Sequence, residues 1–201
     1  MSGIGFVTTE NRGPDLTLNR DRAALLVIDW QERLVPAMDP QVHEAKLRNA
    51  VILCQAAGRL GLPIVQSEQY TKGLGVTVAP LRDALAPLGD AVRRFEKNTF
   101  SCAPAPELQA ALKSTMRTQW IVCGMEAHVC VFQTVRDLCA RGLTVHVAQD
   151  AILSRRTDCF KTALGLMTTA GAVITNTETI LFDLLGCAGT EEFKAISKLV
   201  K

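Results

Sequence analysis

Trp120-Ile121-Val122-Cys123-Gly124-Met125-Glu126-Ala127-His128-Val129-Cys130 is the stretch on which the fold turns. Its four leading apolar residues form a strand-sized run, Gly124 supplies a tight turn, and Cys130 then falls in the first turn of a helix running from about His128 to Arg141 and stopped by Gly142. A helix N-terminus carries unpaired N–H groups and the positive end of the helix dipole, and both favour a thiolate. Outward from this segment the same strand-then-helix unit recurs. Strands are expected over 23–28, 63–66, 92–96, 119–123, 143–147 and 172–175. Between them, Asp39-Pro40 caps and opens a helix that Gly61 ends after Leu60, a short helix follows Pro80, and Pro106 opens another to about Met116. Further helices are expected over 157–170, 178–185 and 191–200. Strands of four to six residues alternating with helices imply βαβ units and a parallel sheet covered on both faces. Residues 1–20 are polar with Gly and Pro and read as an N-terminal arm outside the core. Residues 21–201 read as one α/β domain without repeats or linkers.

In open parallel sheets, ligands bind outside the carboxyl ends of the strands. Three chemically distinct residues fall on that edge: Asp29 after Ala24-Leu25-Leu26-Val27-Ile28, Lys97 after Val92-Arg93-Arg94-Phe95-Glu96, and Cys130. Each has a plainer reading. Asp29 serves equally as a helix N-cap, Lys97 as a solvated lysine, and Cys130 as an inert buried thiol. Taken together they make a nucleophile with a base and a cation: a carboxylate can accept the thiol proton, and an ammonium holds the carboxylate ionised and lowers the thiol pKa. His128 is a rival base. Residues two apart on a helix point to different sides, so it reads as structural or supporting. The backbone N–H groups of Glu126 and Cys130 are placed to form an oxyanion hole, while the Glu126 carboxylate reads as a surface charge or a pocket wall. Trp30, Tyr70 and Phe100 lie in loops at the same edge and are candidates for substrate binding, with ordinary aromatic packing as the alternative.

Composition narrows the class. With 22 basic and 20 acidic residues interspersed along 201, the net charge of +2 offers no basic track for nucleic acid. No apolar run approaches the ~20 residues of a bilayer span. The N-terminus lacks a basic segment followed by an apolar one, so no signal peptide is expected. Seven cysteines, an odd number and mostly in apolar patterns, point to free thiols in a reducing cytoplasm. There is no Cys-x-x-Cys pair, the three histidines are scattered, and no Gly-x-Gly-x-x-Gly or Gly-Lys-Ser/Thr loop is present, so neither metal nor nucleotide cofactor is expected.

Val27-Ile28-Asp29-Trp30-Gln31-Glu32, Glu96-Lys97-Asn98-Thr99-Phe100-Ser101 and Gly124-Met125-Glu126-Ala127-His128-Val129-Cys130-Val131-Phe132-Gln133-Thr134 resemble the three blocks of the isochorismatase-like cysteine hydrolases. Asp150-Ala151 with Ser154-Arg155 resembles a fourth, and Ser67-Glu68-Gln69-Tyr70-Thr71-Lys72-Gly73-Leu74-Gly75-Val76-Thr77-Val78 is similar to a segment of the isochorismatase domain-containing proteins of that family. The resemblance extends from about residue 20 over nearly the whole chain. It implies a three-layer α/β/α fold, with a six-stranded parallel sheet in the Rossmann-like order 3-2-1-4-5-6. It also implies an Asp29, Lys97, Cys130 triad and a cis peptide between Met125 and Glu126. Two departures bear on activity. Nicotinamidases of this family hold a metal with an Asp and two His after the second strand, where this chain has Ser67-Glu68-Gln69-Tyr70. True isochorismatases lack the cysteine nucleophile. The expected activity is metal-free, cysteine-dependent hydrolysis of a small amide or related acyl compound. The alternatives are a non-hydrolytic metabolite-binding or scaffold protein on the same fold, and a redox-reactive thiol protein.

At the C-terminus, Phe193, Ile196, Leu199 and Val200 fall at helical spacing. This stripe either packs on its own domain or pairs with another copy. The family resemblance favours a homo-oligomer, with a small-molecule substrate and no membrane or nucleic-acid partner.

Overall fold

A computed structural model describes residues 13–201. Six strands, β1 (Ala23–Ile28), β2 (Ile64–Gln69), β3 (Val92–Lys97), β4 (Gln119–Met125), β5 (Thr144–Leu153) and β6 (Val173–Thr175), form one all-parallel sheet in the order β3-β2-β1-β4-β5-β6. The helices are α1 (Pro40–Leu60), α2 (Thr71–Leu74), α3 (Ala79–Leu85), α4 (Pro106–Thr115), α5 (Phe132–Cys139), α6 (Thr157–Thr169), α7 (Thr177–Leu185) and α8 (Glu191–Ile196). β1 shows why the sheet is covered twice. Ala23, Leu25 and Val27 belong to one core with residues of α1, α3 and α7, while Ala24, Leu26 and Ile28 belong to the other with residues of α4, α5 and α6. The chain runs from β1 outward through β2 to β3, then returns to β4 beside β1 and continues the other way. The crevice at the carboxyl ends of β1 and β4 is therefore the switch point where such folds bind ligands.

Local signals set the boundaries of α1. The Asp39 carboxylate accepts from the N–H groups of Gln41 and Val42 at 3.0 and 3.1 Å, Pro40 opens the helix, and Gly61 ends it at φ 68°. Two strands are longer than their apolar runs. β2 continues to Gln69, and β5 continues past a register shift opposite Val122 and Gly124 as far as Leu153. In both, the ladder carries polar residues that hydropathy alone assigns to loops.

The N-terminal arm expected over 1–20 lies partly outside the described residues. Its described portion is not free of the core: Leu18 is buried, its N–H donates to Asp183 at 2.6 Å, and the Asn19 N–H donates to Gln119 at 2.8 Å. One buried leucine and two hydrogen bonds tie this portion to the domain. The C-terminal helix also differs. α8 stops at Ile196, Ile196 is buried, Leu199 and Val200 pack on the domain's own core, and Phe193 meets Phe182 edge-on with ring centroids 6.1 Å apart. The apolar stripe thus serves intramolecular packing.

Candidate active site

Asp29 follows β1 in a left-handed conformation, φ 50°, which Asp tolerates better than most residues. Its backbone N–H donates to the Ser67 carbonyl at 3.2 Å, and its side chain turns into the crevice, 1% exposed. Lys97, the last residue of β3, reaches across β2. Its ammonium donates to Asp29 Oδ2 and Gln69 Oε1 at 2.7 Å each, and to the carbonyls of Phe100 and Thr99 at 3.0 and 3.2 Å. A buried ion pair persists only when its remaining hydrogen-bonding capacity is met, and here it is. The other carboxylate oxygen, Oδ1, accepts from the Ser67 hydroxyl at 2.7 Å.

Cys130 arrives from β4 through a π turn, Ala127–Val131, that leads into α5. The Val129 and Val131 N–H groups donate to the Glu126 carbonyl at 3.0 and 3.3 Å. Thr134 donates to the Cys130 carbonyl at 2.7 Å and accepts from the Cys102 N–H at 2.9 Å. The Met125–Glu126 peptide is cis. Gly124 precedes it at φ 150°, and a Cβ there would lie 2.4 Å from the Ile28 carbonyl oxygen. Only glycine lets β4 approach β1 this closely, one residue before Asp29.

The structure brings Asp29, Lys97 and Cys130 together, but the thiol's electrostatics run against expectation. Burial pushes the Cys130 thiol well above its ordinary value. The Asp29 charge, and the hydrogen bond the thiol donates to it, push the same way; Lys97 opposes them without prevailing. Lys97 lowers the thiol as expected, but burial and the Asp29 charge outweigh it, so the net direction is upward. For Lys97, burial disfavours the charged form, yet Asp29 and the neighbouring thiols outweigh it and hold the ammonium above its ordinary value. The remaining buried thiols are also held protonated. Burial raises Cys54 to about 12 and Cys102 to about 11, and raises Cys123 as well.

A cavity of about 280 Å³ opens over Cys130. Leu34, Leu74, Phe100, Met125 and Val129 give it apolar walls, and Asp29, Gln69, Glu126 and Arg155 give it polar groups. Of the aromatic candidates, Phe100 lines it. Trp30 does not: its ring is fully buried in the opposite core against His43, because the residue after Asp29 points through the sheet. Tyr70 is half-exposed and lies over Gly73, outside the lining. His128 lies 3.4 Å from Glu126 and 3.0 Å from Ser154 and does not line the cavity. Sequence reasoning missed Ser67 and Gln69 because it ended the second strand at Gln66. Period-2 alternation carried three residues further, to Gln69, places Val65, Ser67 and Gln69 on one face. Leu74 and Arg155 fall in segments that carry the family resemblance, while Leu34 carries no signal of its own. Among the described residues, no group of three or more His, Cys, Asp or Glu side chains is placed to hold a metal ion, and no helix is long and apolar enough to cross a membrane.

A parallel α/β sheet with an acid, an amine and a thiol at its carboxyl edge defines a class of hydrolase-fold proteins, and comparison with known proteins gives the family. An isochorismatase domain model matches residues 23–179. The secreted isochorismatase effector Isc1 from Phytophthora sojae is 40% identical over 151 residues, covering 74% of this chain and 71% of the effector. Isochorismatase domain-containing protein 1 from Salmo salar is 37% identical over 174 residues, 86% of this chain, and the chain spans 59% of that relative's length. Among solved structures, the MAR1 ribonuclease from Caenorhabditis elegans superposes with a TM-score of 0.84 at 35% identity, over 92% of both chains. The YcaC gene product from Escherichia coli, described as an octameric hydrolase of unknown specificity, superposes with a TM-score of 0.83 at 19% identity, over 94% of this chain and 92% of its own, and so shares the fold. The chain belongs to the isochorismatase-like hydrolase family.

Proposed function

We propose that the protein is a cysteine-dependent hydrolase of small amides or related acyl compounds, working without a metal through a thioester. The observation that carries this reading is that Cys130 and Asp29 line one small, largely apolar cavity while Lys97 holds the Asp29 carboxylate at 2.7 Å. Because the thiol rests protonated, proton transfer accompanies attack: Asp29 takes the proton as sulfur bonds to the substrate carbonyl carbon. The N–H groups of Glu126 and Cys130 receive the oxyanion. The protonated Asp29 then donates to the leaving nitrogen or oxygen as the C–N or C–O bond breaks. Water, deprotonated by Asp29, later cleaves the thioester and restores the thiol. Lys97 stays paired with Asp29 and fixes its place beside the thiol. Phe100, with Leu34, Leu74 and Val129, encloses the acyl compound.

The ribonuclease name of the Caenorhabditis structure is not carried over. Asp29 and Glu126 face this cavity, and its volume suits a small molecule better than a phosphate backbone. We place the protein in the cytoplasm, on its seven free cysteines. We also read it as a homo-oligomer. Tyr70, Val76 and Phe100 are exposed apolar residues, and the octameric YcaC shares the fold.

Intact mass spectrometry during incubation with a panel of short-chain amides and esters tests the chemistry. A transient acyl adduct on Cys130 is expected. Cys130→Ala and Asp29→Asn should each lower turnover by about 10³-fold or more, and Lys97→Ala nearly as much, without additive losses in combination. Near-normal acylation by Asp29→Asn would remove Asp29 as the base. Light scattering coupled to size exclusion tests assembly: a mass near 21.8 kDa at every dilution would rule the oligomer out.

A further inference from the structure

We propose that Ser67 is a positioning residue, and that its hydroxyl holds the Asp29 carboxylate in the orientation that the thiol proton needs. This rests on the proposed role of Asp29 as the base. Ser67 is fully buried on β2, between the strands that deliver Asp29 and Lys97. Its hydroxyl donates to Asp29 Oδ1 at 2.7 Å, while Lys97 donates to Oδ2 at the same distance. A carboxylate gripped at both oxygens cannot rotate. Each oxygen still has a second lone pair, so the grip leaves a site for the Cys130 proton.

The direction of the Ser67 proton is set by its other neighbour. The Cys102 thiol lies 3.4 Å from Ser67 Oγ and donates to it. Cys102 is fully buried and held protonated, so it supplies a proton to that oxygen and leaves the Ser67 proton for Asp29. Thr134 ties the two thiol-bearing segments together, accepting from the Cys102 N–H and donating to the Cys130 carbonyl. The row Cys102–Ser67–Asp29 thus parallels Lys97–Asp29 on the other oxygen. The titratable groups facing Asp29 are Lys97, Cys102 and Cys130, with Glu126 and Arg155 on the same cavity. Removing the Ser67 hydroxyl therefore frees Oδ1 and lets the carboxylate turn away from the thiol.

The test follows alkylation of Cys130 by iodoacetamide at pH 7 with peptide mapping, which needs no substrate. Ser67→Thr and Ser67→Val have the same shape and differ only in the hydroxyl. The valine variant should react about tenfold more slowly than the unaltered protein, and the threonine variant at close to the unaltered rate. Thermal melts confirm that both are folded. Should both fail to fold, Ser67→Ala against Ser67→Cys repeats the comparison with smaller side chains. Equal rates for the two members of a pair would overturn the role of Ser67. Asp29→Asn separates this from the mechanism beneath it. That variant should lose most of the rate, and if it kept the normal rate, the base assignment itself would fail.

Discussion

Single residues govern the site through what they exclude as much as through what they contribute. Cys130 sits at the start of a helix near a lysine, and that setting invites a reading as a ready thiolate. Burial and the Asp29 charge prevail, because a charge in an apolar crevice loses more hydration than one ammonium, already shared among four acceptors, restores. Gly124 acts by having no side chain. Gly124→Ala would press a methyl to 2.4 Å from the Ile28 carbonyl oxygen, and we expect a loss of at least about 2 kcal/mol of stability in urea unfolding, with turnover reduced further as Asp29 shifts. An alanine variant that unfolds like the parent would show that β1 and β4 can part without harm. The glycine was legible as a turn. Its role in bringing two parallel strands together was not, since the contact is with a residue 96 positions earlier.

At the scale of elements, the cavity wall depends on one buried amide. Gln31 is fully buried. Its Nε2 donates to the Gln69 and Gly75 carbonyls at 2.9 and 2.7 Å, and its Oε1 accepts from the Gln69 N–H at 2.7 Å. These bonds fasten the segment that carries α2 and Leu74 to the one that carries Leu34. Gln31→Leu keeps the bulk but leaves three backbone groups without partners, at a cost of about 2–3 kcal/mol. We expect faster tryptic cleavage at Lys72 and a raised KM with a smaller effect on kcat. Unchanged cleavage would mean that α2 is held by its other contacts. Elements with strong local signals, such as α1 with its Asp39 cap and Gly61 stop, were legible to the residue. β2, β5 and α8 were not, because strand ends and terminal helices are decided by neighbours across the sheet or beneath the helix.

For the molecule as a whole, several buried groups bind protons more tightly when folded than when unfolded. Burial raises the thiols of Cys54, Cys102, Cys123 and Cys130; Lys97 is raised as well, by Asp29 against its own burial. The sign follows from linkage. A raised folded value contributes stability that is complete below the unfolded value, near 9 for a thiol, and that is lost as pH climbs through the folded value. Stability to urea should therefore fall as pH rises from about 8 to 11. A flat profile would show that these thiols are less buried than the fold places them.

The βαβ rhythm, the helix caps and the three strand-end residues are written along the chain, because periodicity, capping and turn chemistry act within a few neighbouring residues. The identity of the groups around those three is not. Ser67 reaches Asp29 across 38 residues, Thr134 joins Cys102 to Cys130, and Trp30 leaves the site because of the face its Cβ takes. Such contacts depend on sheet order and side-chain direction, which exist only once separated segments have packed.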